Sequence, residues 1–243
     1  GDNSWIGRGY ALRKSVLLEP NNDDLAQHHA DILERAGKID EAMEYYARAL
    51  RLNPYNARVL IRYSLLLVSA GDYDRALYLD KRGRELQGYP AFRVRFGVAL
   101  LRNQWQVARD ILDQASHPMP QVMKDVLRTV VNALETPELR YIAMERMREL
   151  SSLEIPGKLN FIYLYGGLLE ANDLVFESLA AAAPDVNFWF TLFWQPETTA
   201  LLSDPRLHQY FEDVGLMEYW QVFGPPDACI LEPTFSCGVK TES

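Results

Sequence analysis

The sequence predicts an all-α protein built of helical hairpins stacked side by side, and three observations carry that expectation. Residue choices recur with a 34-residue period. Within each period the apolar residues follow helical spacing. A proline then closes the unit, because it cannot continue the helical ladder and restricts the residue before it.

The first 22 residues read as a single helix, "WIGRGYALRKSVLLEPNN", either the second half of a hairpin or a lone capping helix. On the first of these readings Gly1 marks a cut or processing point, and the chain is the C-terminal part of something larger. The clearest unit is residues 23–56. Gly37 opens its second helix at a tight turn. Ala42 and Ala49 lie seven apart and share one helical face, with Tyr45, Tyr46 and Leu50 supplying bulk. Asn53-Pro54 ends it. Moving 34 residues on, Gly37 becomes Gly71, Ile39 becomes Tyr73, Asp40 becomes Asp74, Ala42 becomes Ala76 and Ala49 becomes Gly83. Moving 34 back, Pro54 becomes Pro20, so "LLEPNN" and "RLNPYN" are the same exit. A third copy, "LLRNQWQVARDIL", follows at 32 residues, with Trp105 and Ala108 in the places of Tyr73 and Ala76.

Ala42-x3-Tyr46 followed by Pro54, repeated in phase, resembles the tetratricopeptide repeat (TPR). The resemblance covers about residues 5 to 183 and implies a right-handed superhelix whose first helices line a concave groove. Such grooves usually bind a peptide or another protein; a scaffold with no groove ligand is the alternative. Residues 23–118 hold the recognisable repeats and 119–186 degenerate hairpins. In the latter, Thr136 is expected to cap a helix starting at Pro137, Gly166-Gly167 to mark close packing, and Pro184 an exit. No linker divides the chain, so residues 1–243 read as one solenoid.

Residues 187–243 form a cap and tail. "NFWFTLFW" is expected to be a helix sealing the open end of the apolar stack. Asp204 is placed to cap a helix from Pro205 to about Gly215, and "MEYWQVF" to form a last helix stopped by Gly224-Pro225-Pro226. Asp204-Pro205-Arg206, Gly215-Leu216, Tyr219-Trp220 and Pro226-Asp227-x-Cys229 resemble the closing segment of TPR regions in bacterial winged-helix regulators of the CadC/ToxR type and behind class III adenylate cyclase domains. That resemblance implies a regulatory or sensory region of a larger bacterial signalling or transcription-regulatory protein.

Composition narrows the function classes. A net charge of −8 and a pI near 5.1 give no basic footprint for nucleic acid. No apolar run is long enough to span a membrane, and no signal peptide opens the chain. No convergent titratable set points to an enzyme, and no cofactor or metal is expected. His28 and His29 lack a third ligand, and His117 and His208 stand apart. Cys229 and Cys237 either close a small disulfide loop in an oxidising compartment such as the periplasm or stay reduced in the cytoplasm.

The repeat register nominates a binding face. Inward-facing positions of the resemblance give Asp24, Gln27, His28, Asp31 and Glu34, then Arg58, Arg62 and Leu65, with Arg93 extending the line. The groove is expected to be acidic at one end and basic at the next. Arg58 and Arg62, one turn apart, either fork onto a partner's carboxylate or pair with Asp31 and Glu34. The expected activity is non-catalytic binding of a protein or peptide, with homodimerisation of the parent a further expectation; a sensor for a small molecule or pH is the alternative.

Overall fold

The computed structural model describes residues 4–87, 92–114, 119–181 and 190–231. Among these residues every regular element is helical. After α1 (Trp5–Leu18) come five hairpins: α2 (Asp23–Arg35) with α3 (Ile39–Leu52), α4 (Ala57–Ser69) with α5 (Tyr73–Gln87), α6 (Arg93–Leu101) with α7 (Trp105–Gln114), α8 (Gln121–Glu135) with α9 (Arg140–Ser151), and α10 (Lys158–Leu168) with α11 (Asn172–Ala180). Two 3₁₀ turns, Phe190–Trp194 and Pro196–Leu201, lead to α12 (Pro205–Asp213), α13 (Leu216–Phe223) and a single turn, α14 (Ala228–Leu231).

Four of the five hairpins turn in the same way. Gly37, Gly71, Asn103 and Glu170 all have positive φ, at 78°, 77°, 55° and 51°. The following N–H donates back across the turn in each: Lys38 to Leu33 at 2.9 Å, Asp72 to Leu67 at 2.9 Å, Gln104 to Ala99 at 2.8 Å and Ala171 to Gly166 at 2.8 Å. This pattern satisfies carbonyls that the helix end would otherwise leave unpaired. It is glycine-marked in the first two copies only, although Asn tolerates the same conformation. The entries also repeat, with Asn22 and Asn56 accepting from the N–H groups of Leu25 and Val59. Arg48 and Arg82, 34 apart, donate to the carbonyls of Pro20 and Pro54, tying each second helix to the preceding exit.

The small residues serve as the period implied. Ala42, Tyr46, Ala49 and Ala76 are fully buried. A Cβ on Gly83 would lie 2.8 Å from Ile61 Cγ1, and one on Gly166 2.6 Å from Val175 Cγ2. The helices of α4/α5 and α10/α11 therefore approach too closely for any side chain there.

Residues 190–227 do not simply seal one end of the stack. The Trp194 indole donates to the Arg35 carbonyl at 3.1 Å, and the Trp220 indole to the Ala36 carbonyl at 2.8 Å. Asp227 N–H donates to the Gly37 carbonyl at 3.0 Å, and the Asp227 carboxylate accepts from Asp40 N–H at 2.9 Å. Gln195 donates to Ser69 Oγ at 3.0 Å. Glu197 meets Arg93 at 3.3 Å, and its carbonyl would lie 3.0 Å from a Cβ on Gly167. On α1, Gly9 lies under Tyr219 and Phe223, and the Trp5 indole donates to the Val214 carbonyl at 3.0 Å. One segment thus touches α1, the α2–α3 turn, α4, α6 and α10. The first helices of four hairpins, α2, α4, α6 and α10, share it as a packing partner.

Some expectations change. The described part of the aromatic run is a 3₁₀ turn, not an α-helix, with Thr198 Oγ1 donating to the Leu192 carbonyl to hold the short turns together. Thr136 makes no side-chain cap, and Pro137 starts a 3₁₀ turn (Pro137–Leu139) before α9. The tail regains one helical turn at Ala228–Leu231. Asp204 does cap α12, accepting from Arg206 N–H at 3.0 Å, and Gly224 ends α13. His117, Pro184 and Cys237 lie outside the described residues.

Candidate protein-interaction site

The nominated binding residues come from α2, α4 and α6. Gln27 is buried and accepts from Asn56 at 3.0 Å, which bridges α2 to the exit of its own hairpin. His28 and Asp24 are exposed on α2, and Leu65 is half-buried on α4. Asp31 and Glu34 face inward among α2, α3 and α4, with 5% and 0% of their surface exposed. Tyr46 of α3 sits between them, its hydroxyl 2.5 Å from Asp31 Oδ1 and 2.6 Å from Glu34 Oε2.

The arginines of α4 complete this cluster. Arg62 lies 3.2 Å from Glu34 Oε2 and 3.8 Å from Asp31 Oδ1, and Arg58 lies 2.9 Å from Asp31 Oδ2. The acidic stretch and the basic stretch of the expected groove therefore neutralise each other across the repeat boundary. Arg93 stands apart, joined to Glu197 at 3.3 Å and to Gln195 at 3.5 Å. Arg58, Arg62 and Asp31 are thus brought together, while Arg93 belongs with the C-terminal segment.

Burial governs the electrostatics. Desolvation pushes the Glu34 carboxyl up to about 7, with Arg62 and the Tyr46 hydroxyl pulling the other way. Its second oxygen, Oε1, is buried without a partner. The same burial raises the Tyr46 hydroxyl well above its usual range. His29, packed edge-on to Tyr45, is pushed down to about 4 by burial, against the attraction of Glu41. Arg58 differs from the rest: 58% of its side chain remains exposed although Asp31 anchors one end.

A comparison with family models matches part of this region. Residues 33–79 match the tetratricopeptide repeat. The match runs from the end of α2 through most of α5, the hairpin boundary that carries Glu34, Tyr46, Arg58 and Arg62. Tetratricopeptide repeats generally mediate contacts between proteins and are generally non-catalytic scaffolds. A search of curated proteins finds no match.

Among the described residues no His, Cys, Asp and Glu group is placed to hold a metal ion, and no helix is long and apolar enough to cross a membrane. Sequence reasoning missed the partners of Arg93, Gly97 and Gly167 in the segment 195–198. Nothing local signals them, since each contact joins positions far apart in the chain. It also missed the Arg48 and Arg82 clamps, which the same 34-residue alignment that paired Gly37 with Gly71 would have found.

Proposed function

We propose that the chain is a non-catalytic protein-interaction and regulatory module, taking a protein or peptide partner on the strip of first-helix face from Asp24 to Leu65. The supporting observation is Arg58: its guanidinium is oriented by Asp31 at 2.9 Å yet more than half exposed, and His28 is exposed on the helix that carries Asp31. Preorganisation of this kind lowers the entropy lost when a carboxylate docks, and the guanidinium fork favours two parallel hydrogen bonds. Among the described residues no hydrogen bond or ion pair joins the C-terminal segment to Gln27, Asp31, Arg58 or Arg62; Asp24, His28 and Arg58 are the exposed members of the strip, and Gln27 and Asp31 are buried beneath them. A homodimer of the parent remains compatible with such a module. The closing marks Asp204-Pro205-Arg206 and Tyr219-Trp220 support placement at the C-terminal end of a larger bacterial signalling or transcription-regulatory protein, of the CadC/ToxR type or behind a cyclase. A disulfide between Cys229 and Cys237 would fix the tail beyond α14 and place the module in an oxidising compartment.

The test is a screen of carboxylate-bearing peptides against the chain, with each binder measured again on Arg58→Glu and His28→Ala. Arg58→Glu is expected to weaken binding about tenfold or more. A binder indifferent to both changes would dispose of the strip as the site.

One observation favours the sensor alternative: the buried, incompletely satisfied Glu34 beside Asp31, Tyr46 and Arg62. A small-molecule or proton ligand acting there would shift Tyr46 and Arg62 resonances in NMR titration and leave them unmoved in Glu34→Gln.

A further inference from the structure

From the outer face of α1, we infer a second interaction surface, separate from the inner strip, that takes an acidic amphipathic helix of a protein partner. The helix carries Arg8, Arg13 and Lys14 and no acid, on a chain with net charge −8. Its covered side is Trp5, Gly9, Leu12 and Val16, packed toward α2 and α13. Its open side presents Tyr10 at 57%, Leu17 at 77% and Leu18 at 71% exposure, around Arg13 and Lys14. Positions 10, 14, 17 and 18 recur at helical spacing and form one continuous stripe. Among the described residues no hydrogen bond or ion pair engages Arg13 or Lys14.

The later repeats supply an internal control. Tyr10 corresponds to Glu44 on α3 and Tyr78 on α5; Leu17 to Arg51 and Glu85; Leu18 to Leu52 and Leu86. Those positions are also exposed on α3 and α5, although α5 has a complete hairpin on either side. The register therefore faces outward in every hairpin, and the apolar content at α1 is not a consequence of a missing neighbour. The later copies keep at least one charge among the three positions; α1 keeps none. A contiguous exposed apolar patch rimmed by polar residues marks an interaction face.

Charge chooses the occupant. A second copy pairing through the same stripe would set Arg13 and Lys14 against their own counterparts, which is repulsive. A flat anionic membrane would also meet Glu41 and Glu44, exposed on the neighbouring α3. A single helix lying along α1 avoids both. Its leucines would cover Leu17, Leu18 and Tyr10 at i, i+3, i+4 and i+7 spacing, with its carboxylates reaching Arg13 and Lys14.

The experiment titrates the whole chain into a fluorescent synthetic peptide of about 14 residues with leucines on one face and glutamates on the other. A peptide with lysine replacing every glutamate is the control. Arg13→Glu/Lys14→Glu and Leu17→Ser/Leu18→Ser change only exposed side chains, and circular dichroism checks that each variant folds. The inference expects binding of the acid peptide, none of the lysine peptide, and a loss of about tenfold or more in either double variant. Arg58→Glu is expected to bind this peptide normally, which separates failure here from failure of the inner strip. Absent binding, or equal binding of both peptides, overturns the inference. Capture by phosphatidylglycerol vesicles in place of the peptide, or self-association lost in Leu17→Ser/Leu18→Ser, overturns it in favour of a lipid surface or a second copy.

Discussion

Residues 23–87 and residues 190–227 both contribute to the buried core but are held there by different logic. In the first stretch the same devices recur every 34 residues: an asparagine cap, a left-handed turn residue, small residues on one face, an arginine on the preceding proline carbonyl. Each links neighbours in sequence. In the second stretch nothing recurs. Trp194, Gln195, Glu197 and Trp220 reach Arg35, Ser69, Arg93 and Ala36, and these contacts do not repeat one period away. Periodic devices build a stack of any length; the unique ones decide where this stack is filled and closed.

The largest expected effect belongs to the unique set. Trp220 is fully buried, so Trp220→Ala should destabilise by about 3–5 kcal/mol in chemical denaturation, through lost contacts and the cavity left behind. A loss under about 1 kcal/mol would show that the segment rests on the repeats without being integral to them.

The pH response comes next and probes the repeat boundary instead. Glu34 titrates near 7 in the fold and near 4.5 when unfolded. A carboxyl raised on folding favours the fold while protonated, so its contribution is complete below about pH 4.5 and fades as pH rises through about 7. Glu34→Gln should flatten that part of the stability profile, read as the pH dependence of the denaturation midpoint. An unchanged slope would mean that Glu34 is ionised throughout.

Gly167→Val tests the fit between α10 and the 3₁₀ turn. The new Cβ would meet the Glu197 carbonyl at 3.0 Å and Thr198 Cα at 3.2 Å, backbone atoms that cannot swing aside. A loss of about 1–3 kcal/mol is expected. The smallest effect is at a repeated device: Asn56→Ala removes one cap and the bridge to Gln27, for about 1 kcal/mol. If Asn56→Ala outweighed Gly167→Val, the contrast between the two regions would be reversed.

Legibility follows the same division. The hairpins of 23–87 could be read because Gly37, Ala42, Tyr46 and Pro54 act on neighbours within one period, and the family match falls there. The α10–α11 hairpin keeps the same turn with Glu170 in place of glycine, so its geometry survived after its residue signature was lost. The position of Arg58 and Arg62 followed from register, but register cannot say whether an arginine meets a partner or the Asp31 one repeat back. The destination of Trp194 and Trp220 was not legible, because a large aromatic side chain states only that it will be buried. Arg35 and Ala36, which receive those indoles, offer backbone carbonyls, and any sequence has those.

The central claim is that the C-terminal segment is a structural part of the hairpin stack, buried by it and stabilising it in turn. Native-state amide hydrogen exchange tests this most directly, by comparing α13 (Leu216–Phe223) with α4 (Ala57–Ser69). The two helices are predicted to open together, with matching free energies and the same response to denaturant. Rapid exchange throughout α13 while α4 remains protected would contradict it.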